Sequence, residues 1–499
     1  MDDFWNDVQA LVGKGLVNRG HSAHLALRIT DVEAFKTWLL ADLTSDKRRL
    51  ALTPDVTGAF EDKLHARGLY QIAFSPAGLE EMGAGCDVMK GFPEPFLSGM
   101  APAPKDGAET TRRAGILGDV GPNNEKCWDW GGASGKGVKG KDIHVFLMLF
   151  SAFEGAVKFW ADRALAPRSG LALACGGKDP KTAKTAIFTR LERKPDDPTH
   201  PIEHFGYLDG VSQPMIKGLG RAEHARLNRP ETHRLHAVAA GEFVLGQKNE
   251  RDILTPRPKK NRFGDNGSYL VVRQLEQHVG AFNRMVRELA AQMGDPKELE
   301  TLEDAAAKIM GRRRDGRPLT DQPRENGSFS SFGFAERDAG GLHCPISSHI
   351  RRANPRDSRE DDPEIALRLS KRHRILRRGR IYGDNARNEN FDAEDRAGQG
   401  VLFMCVNADI EQQFEFIQQT WLNNPTFAGV DGEVDPIVAG REPTETRFTA
   451  PARPVSAVVE RGQALVTMKG GGYFFLPGRA ALEWLARRKA GSAAGDGAD

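Results

Sequence analysis

Apolar and polar positions alternate through SAHLALRIT (Ser22–Thr30), the pattern of a half-buried strand. The spacing then changes to threes and fours over DVEAFKTWLL (Asp31–Leu40), which predicts a helix with Asp31 as its N-cap. Periodicity fades from Gly85 to Gly140, a stretch rich in Gly and Pro that reads as long surface excursions. IHVFLMLF (Ile143–Phe150) is the clearest buried strand, and AFEGAVKFWADRAL behind it is a helix candidate. The same order returns further on. GSYLVVRQLEQ (Gly267–Gln277) predicts a strand, Val279–Met310 is mostly helical, GVLFMCVNA (Gly400–Ala408) is a second buried strand, and DIEQQFEFIQQTW is helical again. Strand, helix and strand in both halves suggest two α+β units of related design, although no close repeat proves duplication. RPKKNRFGDNG (Arg257–Gly267) and the tail GSAAGDGAD are flexible by composition.

A length of 499 residues fits two to four units. The chain is 39% hydrophobic and 28% charged, a core-forming composition, and its 70 basic and 68 acidic residues leave a net charge of +2. Neither nucleic acid nor an anionic membrane is indicated by that balance. The start, MDDFWNDVQALVGKG, has no apolar run fit for a secretory signal, and no apolar stretch approaches a membrane span, so the expectation is a cytoplasmic protein. Five cysteines (Cys86, Cys127, Cys175, Cys344, Cys405) lie scattered without a CxxC pair, which fits reduced and mostly buried thiols.

Candidate chemistry narrows quickly. GGASGKGVKG (Gly131–Gly140) imitates a phosphate loop, but only three residues separate Gly131 from Gly135 and Gly137 stands where Ser or Thr would hold magnesium, so a plain loop is the better reading. Between Arg351 and Arg380 there are eleven Lys/Arg against five Asp/Glu. Most form a solvated face, yet some could meet an anionic small molecule such as the propionates of a cofactor. None of the 13 histidines is paired at HExxH or HxH spacing, which argues against a cage of closely spaced histidines around a metal. His349, in CPISSHIRRANPR, stands out by its setting: FMCVNADIE, a strand with an acidic exit, follows sixty residues on (409 − 349). A histidine with a carboxylate partner is a common axial ligand, because the partner fixes its tautomer and raises its basicity. Last, HFGYLDGVSQP (His204–Pro214) frames one carboxylate, Asp209, between Gly206 and Gly210.

Taken in order, these segments resemble the dye-decolorizing peroxidases, a family that binds haem b, in its larger branch of fungal and actinobacterial type. FGYLDGVSQP is similar to the family's GxxDG signature; HCPISSHIRRANPRD resembles its proximal-histidine segment and RILRRGRIYG (Arg374–Gly383) its distal-arginine segment. GEFVLGQKNE, NGSYLVVRQLEQ, NADIEQQFEFIQQTW and GGGYFFLP complete the series. The resemblance implies an α+β fold of two ferredoxin-like units, each an antiparallel sheet carrying helices. The division falls after Pro214: residues 1–214, then a haem-holding unit 215–490, then the tail 491–499.

Carried over residue by residue, it places His349 as proximal iron ligand, with Asp409 as its carboxylate partner and Glu411 as the alternative. Asp209, with Gly210 beside it, takes the distal acid–base position. Counting six back from Gly383 puts the distal arginine at Arg377, with Arg378 one residue away. Leu402 and Met404 flank the channel above the haem, Met404 replacing a larger aromatic. Trp421, Tyr382 and Tyr473 are candidates for relaying electrons from dyes too bulky to enter, against the plainer reading of core packing. The implied partners are hydrogen peroxide and aromatic reducing substrates, met by a monomer or homodimer; the alternative is a non-catalytic haem-binding or haem-handling protein on the same fold. A carboxylate suits acid–base work on peroxide in acid, since its ordinary pKa of ~3.9 leaves it ionised where a histidine of ~6.5 is protonated. Glycines around it would let the backbone approach the porphyrin without a Cβ clash.

Overall fold

The computed structural model describes residues 2–57, 68–105, 108–174, 184–191, 193–194, 197–320, 329–384, 388–440, 447–452, 454–460 and 462–488; the tail 491–499 lies outside them, as does Cys175. In the first half, β1 (His21–Ile29), α1 (Val32–Leu43) and β2 (Leu69–Phe74) are followed by β3 (Val145–Ser151), α2 (Glu154–Ala164) and β4 (Ala186–Arg190). Asp31 caps α1 as expected, its side chain accepting from the Ala34 amide at 3.0 Å, a contact of the kind that contributes ~1 kcal/mol. The strands pair antiparallel in the order β4-β1-β3-β2. The second half repeats this as β5 (Ser268–Gln277), α3 (Val279–Met293), α4 (Leu299–Met310), α5 (His349–Ala353), α6 (Pro363–Arg372), β6 (Arg380–Tyr382), β7 (Gly400–Asn407), two successive π-helical turns (Glu411–Glu415, Ile417–Leu422) and β8 (Val466–Leu476). Its order is β6-β7-β5-β8, again antiparallel. Both sheets have the βαββαβ connectivity of a ferredoxin-like unit.

Two long-range pairings weld the units together. Tyr382 of β6 faces Thr189 of β4, and Phe475 of β8 faces Phe74 of β2, so the eight strands close into one barrel with no free edge between the units. Period-two alternation then sorts every strand into two cores. Ala26, Phe146, Met148, Ile187, Leu270, Leu402, Met404 and Phe474 fill the interior, while Leu25, Leu147, Val271, Cys405 and Phe475 face outward under α1, α2 and the C-terminal helix α7 (Arg479–Arg487). β3 is buried along its whole length because both of its faces are covered.

Three expectations change. The Gly85–Gly140 stretch is no surface excursion: Phe92, Phe96, Trp128 and Trp130 from it are buried, and its short helices pack on the barrel. Arg257–Gly267 is likewise pinned, with Phe263 in the outer core. The thiols divide evenly, Cys344 and Cys405 buried, Cys86 and Cys127 exposed, all four free. No helix among the described residues is long and apolar enough to cross a membrane.

Candidate active site

The Asp209 loop is shaped by backbone bonds before any side chain acts. Ile202 and Leu208 form an antiparallel bridge, the Gly206 amide donates to the Glu203 carbonyl at 2.9 Å, and the Asp209 amide donates to the Pro201 carbonyl at 2.7 Å. Gly206 and Gly210 both have positive φ, +99° and +75°, a region L side chains rarely adopt. The two glycines serve different ends. A Cβ on Gly206 would lie 3.0 Å from Arg314 Nη1, away from the cavity, whereas one on Gly210 would meet nothing within 4 Å. Gly210 therefore fits the expected close approach, and Gly206 is required by the turn itself. Glu203, which the sequence did not single out, accepts from the Phe205 and Tyr207 amides and from Gln277 Nε2 (3.0, 2.9 and 2.6 Å), holding the turn from inside. Burial raises its carboxyl above the usual range against those bonds, and the charge of Asp209 adds to the rise.

The loop forms one wall of a cavity of about 320 Å³. Asp209, Gly210, Arg377 and His349 all line it, with Val401, Phe403, Phe414, Ile417, Ile437 and Val466 supplying apolar wall. Arg377 Nη1 lies 3.7 Å from Asp209 Oδ1, and its Nη2 donates to the Ser212 carbonyl at 3.2 Å. Arg378 points the other way, buried, donating to the carbonyls of Leu11 and Val12. Arg377 ends a short strand (Leu376–Arg377), and of the two neighbours only Arg377 reaches the cavity.

His349 stands at the start of α5. Its Nδ1 is bonded at 2.8 Å to Oδ2 of Asp435, whose side chain is 0% exposed. Oδ1 of Asp435 accepts from the amides of Ile437 and Val438 at 2.9 and 2.7 Å. Burial alone would raise this carboxyl; the His349 charge, those bonds and Arg352 outweigh it and hold it below the usual range. With Nδ1 committed, Nε2 is the nitrogen left for the cavity.

The partner expected at Asp409 is thus corrected to Asp435. Asp409 caps the π-helical segment, its Oδ1 accepting from the Gln412 amide at 2.9 Å, and Glu411 lines a surface cleft instead. Leu402 and Met404 are corrected too. They fill the barrel interior, and Val401 and Phe403, one residue earlier on each count, face the cavity. A one-residue slip in a strand moves a side chain to the other face, and VLFMC is apolar on both faces, so the pattern could not fix the parity. Trp421, Tyr382 and Tyr473 are all buried. Trp421 meets His373, which lines the cavity, edge-on with centroids 5.3 Å apart.

Three further arginines, Arg312, Arg356 and Arg374, are buried at the cavity wall. Among the described residues none makes an ion pair with a carboxylate. Burial, reinforced by Arg377, pulls Arg312 and Arg374 down to about 10, and burial with Arg312 and Arg374 lowers Arg356. His236, wedged between Arg356 and Arg374, is lowered by burial and by both neighbours. Desolvated cations in such number favour an anion in the cavity. The general basic excess of the 351–380 segment announced Arg356 and Arg374, and nothing in the sequence announced Arg312.

The family described as "Dyp-type peroxidase, C-terminal" matches residues 245–430. A protein of Amycolatopsis sp. named "Multifunctional dye peroxidase DyP2" is 35% identical over 297 residues, 57% of this chain and 61% of that one. "Peroxidase 2" of Mycetinis scorodonius is 27% identical over 91% of this chain and 82% of its own length. The Amycolatopsis match thus spans less than two thirds of that relative. Among solved structures, the DyP-type peroxidase of Anabaena sp. superposes with a TM-score of 0.75 at 25% identity, covering 97% of this chain and 95% of that one. DyP2 of Amycolatopsis gives 0.68 at 26%, with 96% of each chain covered. In fold and in the matched segment alike, the chain resembles the Dyp-type peroxidases.

Proposed function

We propose that this chain is a haem peroxidase that reduces hydrogen peroxide and oxidises dyes, phenolics or other aromatic reductants one electron at a time. One observation carries the reading: a histidine braced by a buried carboxylate shares a single cavity with an Asp–Arg pair. The residues fit haem b. His349 Nε2 suits the iron, Val401, Phe403, Phe414 and Ile437 suit the macrocycle, and the uncompensated Arg312, Arg356 and Arg374 suit two propionates. Haem held there supplies the iron at which peroxide is cleaved and through which electrons enter.

The chain's own groups do the rest. Asp435 keeps the His349 proton on Nδ1, so that Nε2 presents its lone pair and the ring gains basicity. Asp209 accepts a proton from one peroxide oxygen and returns it to the other, a single carboxylate acting as base and then as acid. Arg377 cannot act as a base; its guanidinium stabilises negative charge on the departing oxygen. The bond from Arg377 Nη2 to the Ser212 carbonyl ties this cation to the Asp209 loop, so the two groups move together. A protein that only carried haem would have no use for the pair. We place the division between the two units after Pro214, at the exit of that loop.

Peroxide-dependent bleaching of an aromatic dye by the haem-loaded protein tests the reading. Asp209→Ala and Arg377→Ala are expected to retain the haem spectrum and to lose turnover by ~100-fold or more each. His349→Ala is expected to lose or misligate the haem. Turnover near the wild-type rate in the double Asp209/Arg377 variant would sink the assigned roles.

A further inference from the structure

We propose that Arg352 is a positioning residue for the His349–Asp435 pair: its guanidinium fixes where Asp435 stands relative to His349, and so sets how strongly the imidazole holds iron. The inference rests on the haem-peroxidase reading above and adds to it a residue that does not line the cavity.

The pair needs such a fixture. His349 opens a regular helix, but Asp435 stands 86 residues on, in a stretch outside any strand or helix. Their contact is a single 2.8 Å bond from Nδ1 to Oδ2. A displacement of about 1 Å takes such a contact beyond hydrogen-bonding range. Irregular backbone has no ladder of its own to prevent that shift.

Arg352 supplies the restraint. It is 0% exposed and follows His349 by three residues, which puts both on one side of α5. Its Nε donates to the Trp421 carbonyl at 2.9 Å, its Nη2 to the Asn424 carbonyl, and its Nη1 to the Glu433 carbonyl at 3.3 Å. The Phe427 ring stacks on the guanidinium, its centroid 4.8 Å from the central carbon. These contacts bracket Asp435. Its amide donates to the Leu422 carbonyl at 2.8 Å, between Trp421 and Asn424, and Glu433 comes two residues before it. One planar fork, rooted a turn away from His349, thus grips both segments on which the position of Asp435 depends.

Neighbouring arginines do other work. Arg351, 2% exposed, turns to Asp338 at 3.3 Å and to the carbonyls of Cys344 and Ala339. Arg356 lines the cavity. Arg352 makes no ion pair with a carboxylate among the described residues; its three bonds all go to carbonyls. Burial lowers it to about 10, opposed by Asp435 and Glu433, so it stays charged at neutral pH and its bonds are charge-assisted. A lysine would keep the charge, but its compact ammonium cannot span carbonyls on two segments.

The test is resonance Raman on the ferrous, haem-loaded full chain, with haemin titration of the apoprotein for affinity. Arg352→Lys is expected to lower the iron–histidine stretching frequency and to weaken haem binding by ~10-fold. Arg351→Lys, as buried and on the same helix, is expected to change neither, whereas a general loss of packing would move the two variants alike. In an Asp435→Asn background, Arg352→Lys is expected to cost no further affinity, because the pair it positions is already broken. Phe427→Leu leaves the arginine in place and removes the ring stacked on it, so the proposal stays testable even where Arg352→Lys does not fold; a smaller shift of the stretch in the same direction is expected. An unshifted stretch in Arg352→Lys or Phe427→Leu, an equal shift in Arg351→Lys, or affinity losses that add in full in the double variant would overturn the positioning role alone. A wild-type protein with no iron–histidine stretch would overturn the haem-ligation reading and this inference together.

Discussion

Replacing Asp435 by Asn changes one atom of the buried pair, and the structure fixes which way the new amide must turn. Oδ1 already accepts from two backbone amides, those of Ile437 and Val438. The oxygen of an asparagine is best kept there, because leaving two buried donors unpaired costs ~1–3 kcal/mol each. The NH2 group then faces His349 Nδ1, where Asp435 Oδ2 stood at 2.8 Å. Two N–H groups cannot share that contact, so the imidazole proton must move to Nε2, the nitrogen left for the cavity. An Nε2–H cannot ligate iron. The Asn variant should therefore bind haem ~10–100-fold more weakly, equivalent to about 1.4–2.8 kcal/mol, and whatever haem binds should show a weakened iron–histidine stretch. Titrating the apoprotein with haemin while following the Soret band gives the affinity, and resonance Raman gives the stretch. An Asn variant with wild-type affinity and an unshifted stretch would refute the tautomer argument. Asp435→Glu gives a second check, since its charge is kept but its reach is wrong.

Other expectations are independent of that pair. Gly206→Ala forces a Cβ at φ +99° and 3.0 Å from Arg314 Nη1, so urea unfolding should show a loss of ~1–2 kcal/mol, with turnover falling as the Asp209 loop shifts. Met404→Ala removes a side chain from the barrel interior and should lower stability by ~2–5 kcal/mol with the haem spectrum unchanged, whereas Phe403→Ala should perturb the haem spectrum; the reverse pattern would restore the opposite strand parity. Burial raises the Glu242 carboxyl from 4.5 to about 7, so the folded protein binds this proton more tightly than the unfolded chain. That contribution is complete below pH 4.5 and is lost as pH rises through about 7; Glu242→Gln should flatten the stability profile across this window in chemical denaturation. Asp435 has the opposite sign. Its carboxyl is depressed, so its contribution holds above the unfolded value of 3.8 and disappears as pH falls below it, which haem release in an acid titration of wild type against Asp435→Asn would show.

Local patterning served the regular elements well, because each strand and helix buries its own apolar face: β1, β3, β5, β7 and α1 lie within a few residues of where alternation or helical spacing put them. Where a segment's core is not its own, the reading failed. Phe92, Phe96, Trp128 and Trp130 pack on the barrel from loops and from helices and strands of only three to five residues, too short to show a period. Closure of the barrel depends on Tyr382 meeting Thr189 and Phe475 meeting Phe74, pairings between distant segments that no window along the chain contains. The site divides in the same way. His349, Asp209 and Arg377 sit in local motifs and were legible. Asp435 was not: it stands 86 residues from His349 in a stretch, GEVDPIV, that looks like an ordinary turn, while Asp409 at the end of a strand looked the better acid and proved to be a helix cap.

The most direct test of a peroxidase centre at His349, Asp209 and Arg377 is the visible spectrum of the haem-loaded protein before and after one equivalent of hydrogen peroxide. A Soret band that falls on addition and returns when an aromatic dye is supplied and bleached is the expected result. A Soret band that stays unchanged by peroxide would contradict it.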